Sequence, residues 1–277
     1  MQAANARPTW AWGALVVLPL LGGVLRFTLF SLSSWKASSA HSIELAVVEM
    51  AATLGCVIAA TSFEWRDHLA RAWALQGVMY TLLLVRCIGL AFDLLTGSPA
   101  ALITDGIITS IANIGGIFST WMLARTGHVA GIDFATSPNL RRSAWAVALV
   151  VAAAASGPGL LRAAGRLGNG DLGALVSIAS RTGDIFSFAL IAPLLLTTLT
   201  LRQGLLVWPW ALLTASGLCW LAADFTSLAF VHLTNDQIGP LYDIFRLPAC
   251  LFVMTAGIAQ RWVIDARELE GAIVKGR

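Results

Sequence analysis

Charged side chains are scarce in this 277-residue chain. Asp, Glu, Lys and Arg together make up 12% of it, against roughly 25% in soluble domains. With 57% hydrophobic residues and a mean hydropathy of +0.77, an ordinary water-soluble fold is excluded, as are disordered and collagen-like chains. The 18 basic residues exceed the 15 acidic ones by only three, which is no nucleic-acid signature. Lysine occurs twice, at Lys36 and Lys275, both outside apolar runs. A Schiff-base cofactor held inside a helix is therefore excluded. The four cysteines, Cys56, Cys87, Cys219 and Cys250, have no CxxC spacing. They read as buried small hydrophobes, not as metal ligands or a disulfide framework. The nucleophile elbow, the P-loop and the HExxH zinc motif are missing, so no enzyme, cofactor or metal centre is expected. The stretch Arg166–Asp171 reads as a turn and not as a phosphate cradle. The four histidines, His41, His68, His128 and His232, include no i,i+3 or i,i+4 pair and read as interfacial polar residues.

What the chain does contain is long apolar runs. A helix needs about 20 such residues to cross a bilayer. Eight stretches qualify: 10–33, 42–63, 70–95, 101–124, 143–165, 172–200, 205–231 and 239–264. The expectation is an all-α, polytopic membrane bundle of eight helices. Pro158 should kink or break the fifth, with seven full spans and a half-helix as the alternative. The first span is not a cleaved signal peptide, having one Arg before it and no small-residue cleavage site.

Arginine and lysine set the orientation. One side holds Arg7, Arg66, Arg71, Arg125, Arg141, Arg142, Arg202, Arg261, Arg267, Lys275 and Arg277; the other holds Lys36, Arg162 and Arg166. Both termini are thus expected in the cytoplasm, in a bacterial-type inner membrane. Trp10, Trp12, Trp65, Trp73, Trp121, Trp145, Trp208, Trp210 and Trp262 fall near the same interface, where indole rings anchor.

A displacement of about 136 residues superposes landmarks. Arg26 meets Arg162, Glu49 meets Asp184, and Asp105 meets Asp243. Interfacial Arg and Trp recur in any pair of four-helix units, but carboxylates inside spans are rare and costly. This predicts a 4+4 repeat, with residues 1–130 and 131–264 as parallel halves related by an axis along the membrane normal. A short cytoplasmic tail, 265–277, follows.

The functional candidates are the charges within the spans: Arg26, Glu44, Glu49, Arg86, Asp93, Asp105, Arg181, Asp184, Asp224, Asp243 and Arg246. On the expected topology all lie in the outer half. Arg181 with Asp184 and Asp243 with Arg246 are i,i+3 pairs; Arg86 and Asp93 lie two turns apart on one face. Glu44 and Glu49 diverge too far around the helix to form a dyad. Arg86 and Asp224, near-equivalent in the two halves, are expected to face each other. Four arginines meet seven carboxylates, so a cationic ligand or proton is expected to balance the excess. The bland alternative is structural salt bridges between helices, although buried ion pairs gain little stability over apolar packing.

Arg26, Glu49, Arg86, Asp105, Arg181, Asp184, Asp224, Asp243 and Arg246 are accordingly the candidate ligand-binding set, around a cavity open to the outside. The expected role is a sensor-like or binding module signalling through the last helix. Its partners would be the bilayer, a small cation or proton, and possible membrane-protein neighbours. The rivals are a small secondary transporter using Pro158, Pro193 and Pro248 as helix breaks, and a subunit or assembly factor of a membrane complex.

Overall fold

The computed structural model describes residues 9–32, 38–92, 94, 98–129, 138–171, 174–201, 204–230 and 235–275, and all their regular structure is helical. The helices are α1 (Thr9–Leu32), α2 (Ser38–Ala60), α3 (His68–Ala91), α4 (Pro99–Val129), α5 (Pro138–Gly168), α6 (Ala174–Ala189), α7 (Ile191–Thr200), α8 (Val207–Ala229) and α9 (Asn235–Lys275). Seven stretches are long and apolar enough to cross a membrane: Thr9–Thr28, Ser42–Ala60, His68–Ala91, Ile103–Thr126, Pro138–Gly168, Ser177–Thr200 and Leu241–Arg267. The 23-residue α8 matches them in length and packs between α7 and α9. Leu18, Leu21, Val24, Leu25, Val147, Val150 and Leu161 are about half exposed or more, which suits helices facing hydrocarbon and not water.

Pro158 does not break its helix as expected, whereas the helix is interrupted near Pro193. α5 runs unbroken through Pro158, and the fifth span is one continuous helix. Within a membrane bundle the carbonyl freed by a proline can be re-satisfied by neighbours, so an internal proline need not break the helix. The interruption falls instead in the sixth span, where α6 ends at Ala189 and α7 starts at Ile191. Pro193 cannot donate to the Ala189 carbonyl and its ring crowds that turn. Leu194 N reaches Leu190 O only at 3.5 Å. Pro248 lies within uninterrupted α9. At the start of α4, Ser98 Oγ accepts from Ala101 N at 3.1 Å, with Pro99 at the first helical position. After α5 the chain turns at Gly170, whose φ of 88° suits a residue without a Cβ.

Six helical positions close into a ring in the order α2, α3, α4, α6/α7, α8, α9 and back to α2. α1 lies outside it against α9, and α5 lies outside it against α6, α7 and α8. The tightest crossing is that of α2 and α9. A Cβ on Gly257 would lie 2.0 Å from the Gly55 carbonyl oxygen, and one on Gly55 would lie 2.4 Å from Met254 Cα. Only glycine permits backbones to approach this closely. Ala52, Cys56 and Ala59 of α2 and Cys250, Ala256 and Ala259 of α9 extend the small-residue surface and are all buried. At the end of the bundle away from the charges, Trp12 stacks on Trp208 at 5.5 Å and meets Trp262 edge-on at 5.4 Å, tying α1, α8 and α9 together.

Candidate functional site: a charged cavity at one end of the bundle

Late positions of α1, α3 and α8 and the first halves of α2, α4, the α6/α7 span and α9 carry the in-span charges. Up-and-down connection brings these positions to one end of the bundle. Here they separate into two networks and one isolated pair.

The first network joins α1, α2 and α9. Arg26 Nη1 is 3.2 Å from Glu44 Oε2, and Arg26 Nη2 is 3.8 Å from Asp243 Oδ2. Asp243 Oδ1 is 3.8 Å from Arg246 Nη1, and Arg246 Nη2 is 3.9 Å from Glu49 Oε1. Arg26, Glu49 and Asp243 are buried. Except for the first, these are ion pairs held beyond hydrogen-bond distance.

The second network joins α5, α6, α8 and α9 around buried Asp224. Arg181 Nη1 is 3.1 Å from Asp224 Oδ1 and 3.9 Å from Asp184 Oδ2. Ser156 Oγ donates to Asp224 Oδ2 at 2.8 Å, and the Tyr242 hydroxyl donates to Oδ1. Asp224 thus receives donors from three helices, the charge-assisted arrangement that makes a buried carboxylate tolerable. Gly159 of α5 leaves room for this: a Cβ there would lie 3.0 Å from Arg181 Nε.

The isolated pair is Arg86 with Asp105, joined at 2.6 Å through Nε and at 3.4 Å through Nη2. This corrects the expected pairing of Arg86 with Asp224. Asp105 lies on α4, next to α3, and meets the guanidinium in a two-point geometry, whereas Asp224 is held by Arg181, Ser156 and Tyr242. Arg246 links the two networks. Its guanidinium lies over the Trp220 ring at 5.3 Å and the Tyr242 ring at 5.6 Å.

Between α3, α4, α6, α7, α8 and α9 lies a cavity of about 440 Å³, within the usual range for small-molecule sites of ~300–1,000 Å³. Arg86, Asp105, Arg181 and Asp184 line its mouth, with side chains 23–28% exposed. Thr109, Asn113, Ser180, Ser187, Ser216 and Trp220 form its walls. Deeper in are Gln76, Tyr80, Leu123, Leu194, Leu213 and Val253, and Ser119 donates to the Gln76 side-chain oxygen across α3 and α4.

Of the nine candidate residues, Arg86, Asp105, Arg181, Asp184, Asp224 and Arg246 line this cavity, while Arg26, Glu49 and Asp243 do not. The latter three sit with Glu44 in the buried network behind Arg246. Asp93 and Lys36 lie outside the described residues. With all groups ionised, the first network holds two arginines against three carboxylates and the second one against two, while the isolated pair is neutral. The net is −2 for these ten residues. The cavity lining itself balances, three arginines against three aspartates. Its carboxylate with the weakest described pairing is Asp184, at 3.9 Å from Arg181.

Charge alone does not find the aromatic and amide members of the site. A signal was available: the chain has only two tyrosines, Tyr80 and Tyr242, and both line the cavity. Gln76 and Asn113 are amides within apolar spans, which are expensive there unless partnered.

Cys56, Cys87, Cys219 and Cys250 are free thiols, and among the described residues no group of three or more His, Cys, Asp or Glu could hold a metal. His68 Nε2 lies 2.8 Å from the Met122 carbonyl oxygen, joining α3 to α4 at the end opposite the cavity mouth. The fold and site define a class: a multi-pass helical bundle with a charged cavity reached from one end. No family model, curated protein or solved structure matches the chain.

Proposed function

We propose that the chain is a ligand-binding, sensor-like membrane module whose cavity takes a small cation or proton from outside. One observation carries the reading. α9 contributes Tyr242 and Arg246 to the cavity and Asp243 to the network behind it, then continues without interruption to Lys275. At about 1.5 Å per residue, its 41 residues reach far beyond the ~30 Å hydrocarbon core. A ligand that changes the balance among Asp184, Arg181, Asp224 and Tyr242 acts on a rigid rod that crosses the bundle. The cation seats at Asp184, the cavity carboxylate with the weakest described pairing.

The arginine and lysine distribution supports an inner-membrane location with both termini in the cytoplasm, which turns the cavity mouth outward. The contacts also support a 4+4 repeat. α2 packs on α9 as α4 packs on α6; Glu49 and Asp243 lie on the first two of these helices, and Asp105 and Asp184 on the second two. α1 and α5 break the symmetry, since α1 rests on the opposite half and α5 on its own.

The experiment uses the full chain in sealed vesicles. A spin label at Arg267 should change mobility when ammonium or tetramethylammonium is added outside, or when the outside is acidified. Asp184→Asn should abolish that response and leave the fold intact. No response to either cation or acid overturns the reading. A transporter is the second reading, favoured by two observations: the cavity extends inward to Gln76 and Leu213, and the span is broken between α6 and α7, three residues before Pro193. In a cysteine-free background, an impermeant thiol reagent applied outside should label a cysteine replacing Asp184 and spare one replacing buried Leu196. Equal labelling of both supports the transporter.

A further inference from the structure

A second crevice lies on the outer face of the bundle, between α4 and α5. α4 and α5 share no packed interface among the described residues, although both pack against α6 and α7. The gap is a crevice of about 280 Å³. Ile117, Phe118 and Trp121 of α4 form one wall, Trp145 of α5 the other, and Phe186 with Leu190 at the α6–α7 break the back. The aromatic walls are open on the bundle's outer face, with Phe118 and Phe186 more than half exposed.

Three arginines stand at one end of this crevice. Arg125 follows Trp121 by one turn, and its guanidinium lies 4.8 Å from the Trp121 ring. Arg141 and Arg142 precede Trp145 by one turn on α5, and all three are exposed. Residues three and four apart share a helix face, so the arginines of α4 and α5 cap the aromatic walls at the same end. None of them belongs to an ion pair among the described residues.

We infer that this crevice is a binding site for an anionic phospholipid, one acyl chain lying between Trp121 and Trp145 and the headgroup phosphate on Arg125, Arg141 and Arg142. An apolar slot beside three arginines without an ion-pair partner among the described residues matches a phosphate attached to a hydrocarbon chain. It matches a free anion or a neutral lipid poorly. Arginine suits phosphate through its planar fork of donors. The site is independent of the charged cavity and of the function proposed for it.

Native mass spectrometry of the full chain, released from detergent with phosphatidylglycerol or phosphatidylcholine, tests the assignment. The protein should retain phosphatidylglycerol in preference to phosphatidylcholine. The combined change Arg125→Gln, Arg141→Gln, Arg142→Gln should weaken retention by about tenfold or more. The change Arg66→Gln, Arg71→Gln removes two arginines from the same end of the bundle but away from the crevice, and should leave retention unchanged. Equal retention of the two lipids, or equal loss in both variants, overturns the proposal. In the unmutated protein, phosphatidylglycerol brominated in its acyl chain should quench tryptophan fluorescence by an increment that disappears in Trp121→Phe, Trp145→Phe. An undiminished increment places the lipid elsewhere and overturns the assignment. A lipid-free dimer that Trp121→Ala dissociates shows a helix-docking face instead, and likewise overturns it.

Discussion

Replacing Gly257 by alanine should cost the protein more stability than any other one-carbon addition at a glycine of α1, α2 or α9. The new Cβ would stand 2.0 Å from the Gly55 carbonyl oxygen and 2.4 Å from its carbon. Contacts of this kind need more than about 3 Å, so α2 and α9 must separate by about 1 Å or more at their crossing. Backbone cannot rotate away as a side-chain tip can, and the interior is too closely packed to absorb the shift locally. Overpacking costs typically ~1–3 kcal/mol where side chains yield; here the cost should reach ~3 kcal/mol or more. The separation also pulls apart Glu49 on α2 and Arg246 on α9, already 3.9 Å apart. The assay is thermal unfolding in detergent, followed by a dye that fluoresces on reaching thiols. Cys56, Cys87 and Cys250 are buried in the folded protein, so dye uptake reports opening of this core. Gly13→Ala is the control, since nothing lies within 4 Å of a Cβ at Gly13. It should be neutral or gain up to ~1 kcal/mol from helix propensity. If Gly257→Ala melts at the same temperature as the unmutated protein, α2 and α9 do not cross in backbone contact and the steric reasoning fails.

Two other perturbations have defined outcomes. Asp224→Ala should destabilise by about 1–3 kcal/mol, because it takes the acceptor from the Ser156 and Tyr242 hydroxyls and leaves Arg181 only Asp184, 3.9 Å away. Asp224→Asn keeps an acceptor for those hydroxyls and should cost less, so equal thermal shifts for the two variants would contradict the described network. Reporter fusions after Gly97 and Asn235 should read as extracytoplasmic and one after Gly131 as cytoplasmic. If Gly97 and Gly131 report the same side, the span order is refuted.

The positions of the spans were legible in the chain because burial in hydrocarbon demands apolar residues one after another, a property of each segment alone. Pairs within one helix were equally legible. Arg181 with Asp184 and Asp243 with Arg246 follow from 3.6 residues per turn, and stand at 3.9 and 3.8 Å. The gathering of the charges at one end also follows from chain direction, since each loop reverses it. Which charge meets which across helices does not. Arg86 could reach Asp224 in a symmetric pairing of halves, yet the neighbour α4 offers Asp105, and only the order of the ring decides this. The same order puts Glu49 and Asp243 behind Arg246, in a buried network, while Asp184 and Asp105 face the cavity. Pro158 and Pro193 have the same backbone chemistry, and one is carried within a continuous helix while the other coincides with a break. A helix propensity sees two identical residues and does not tell them apart. Gly257 is the clearest case. Its identity alone suggests flexibility, and only the carbonyl of Gly55, far away in the chain and in contact across the crossing, explains why no larger residue fits.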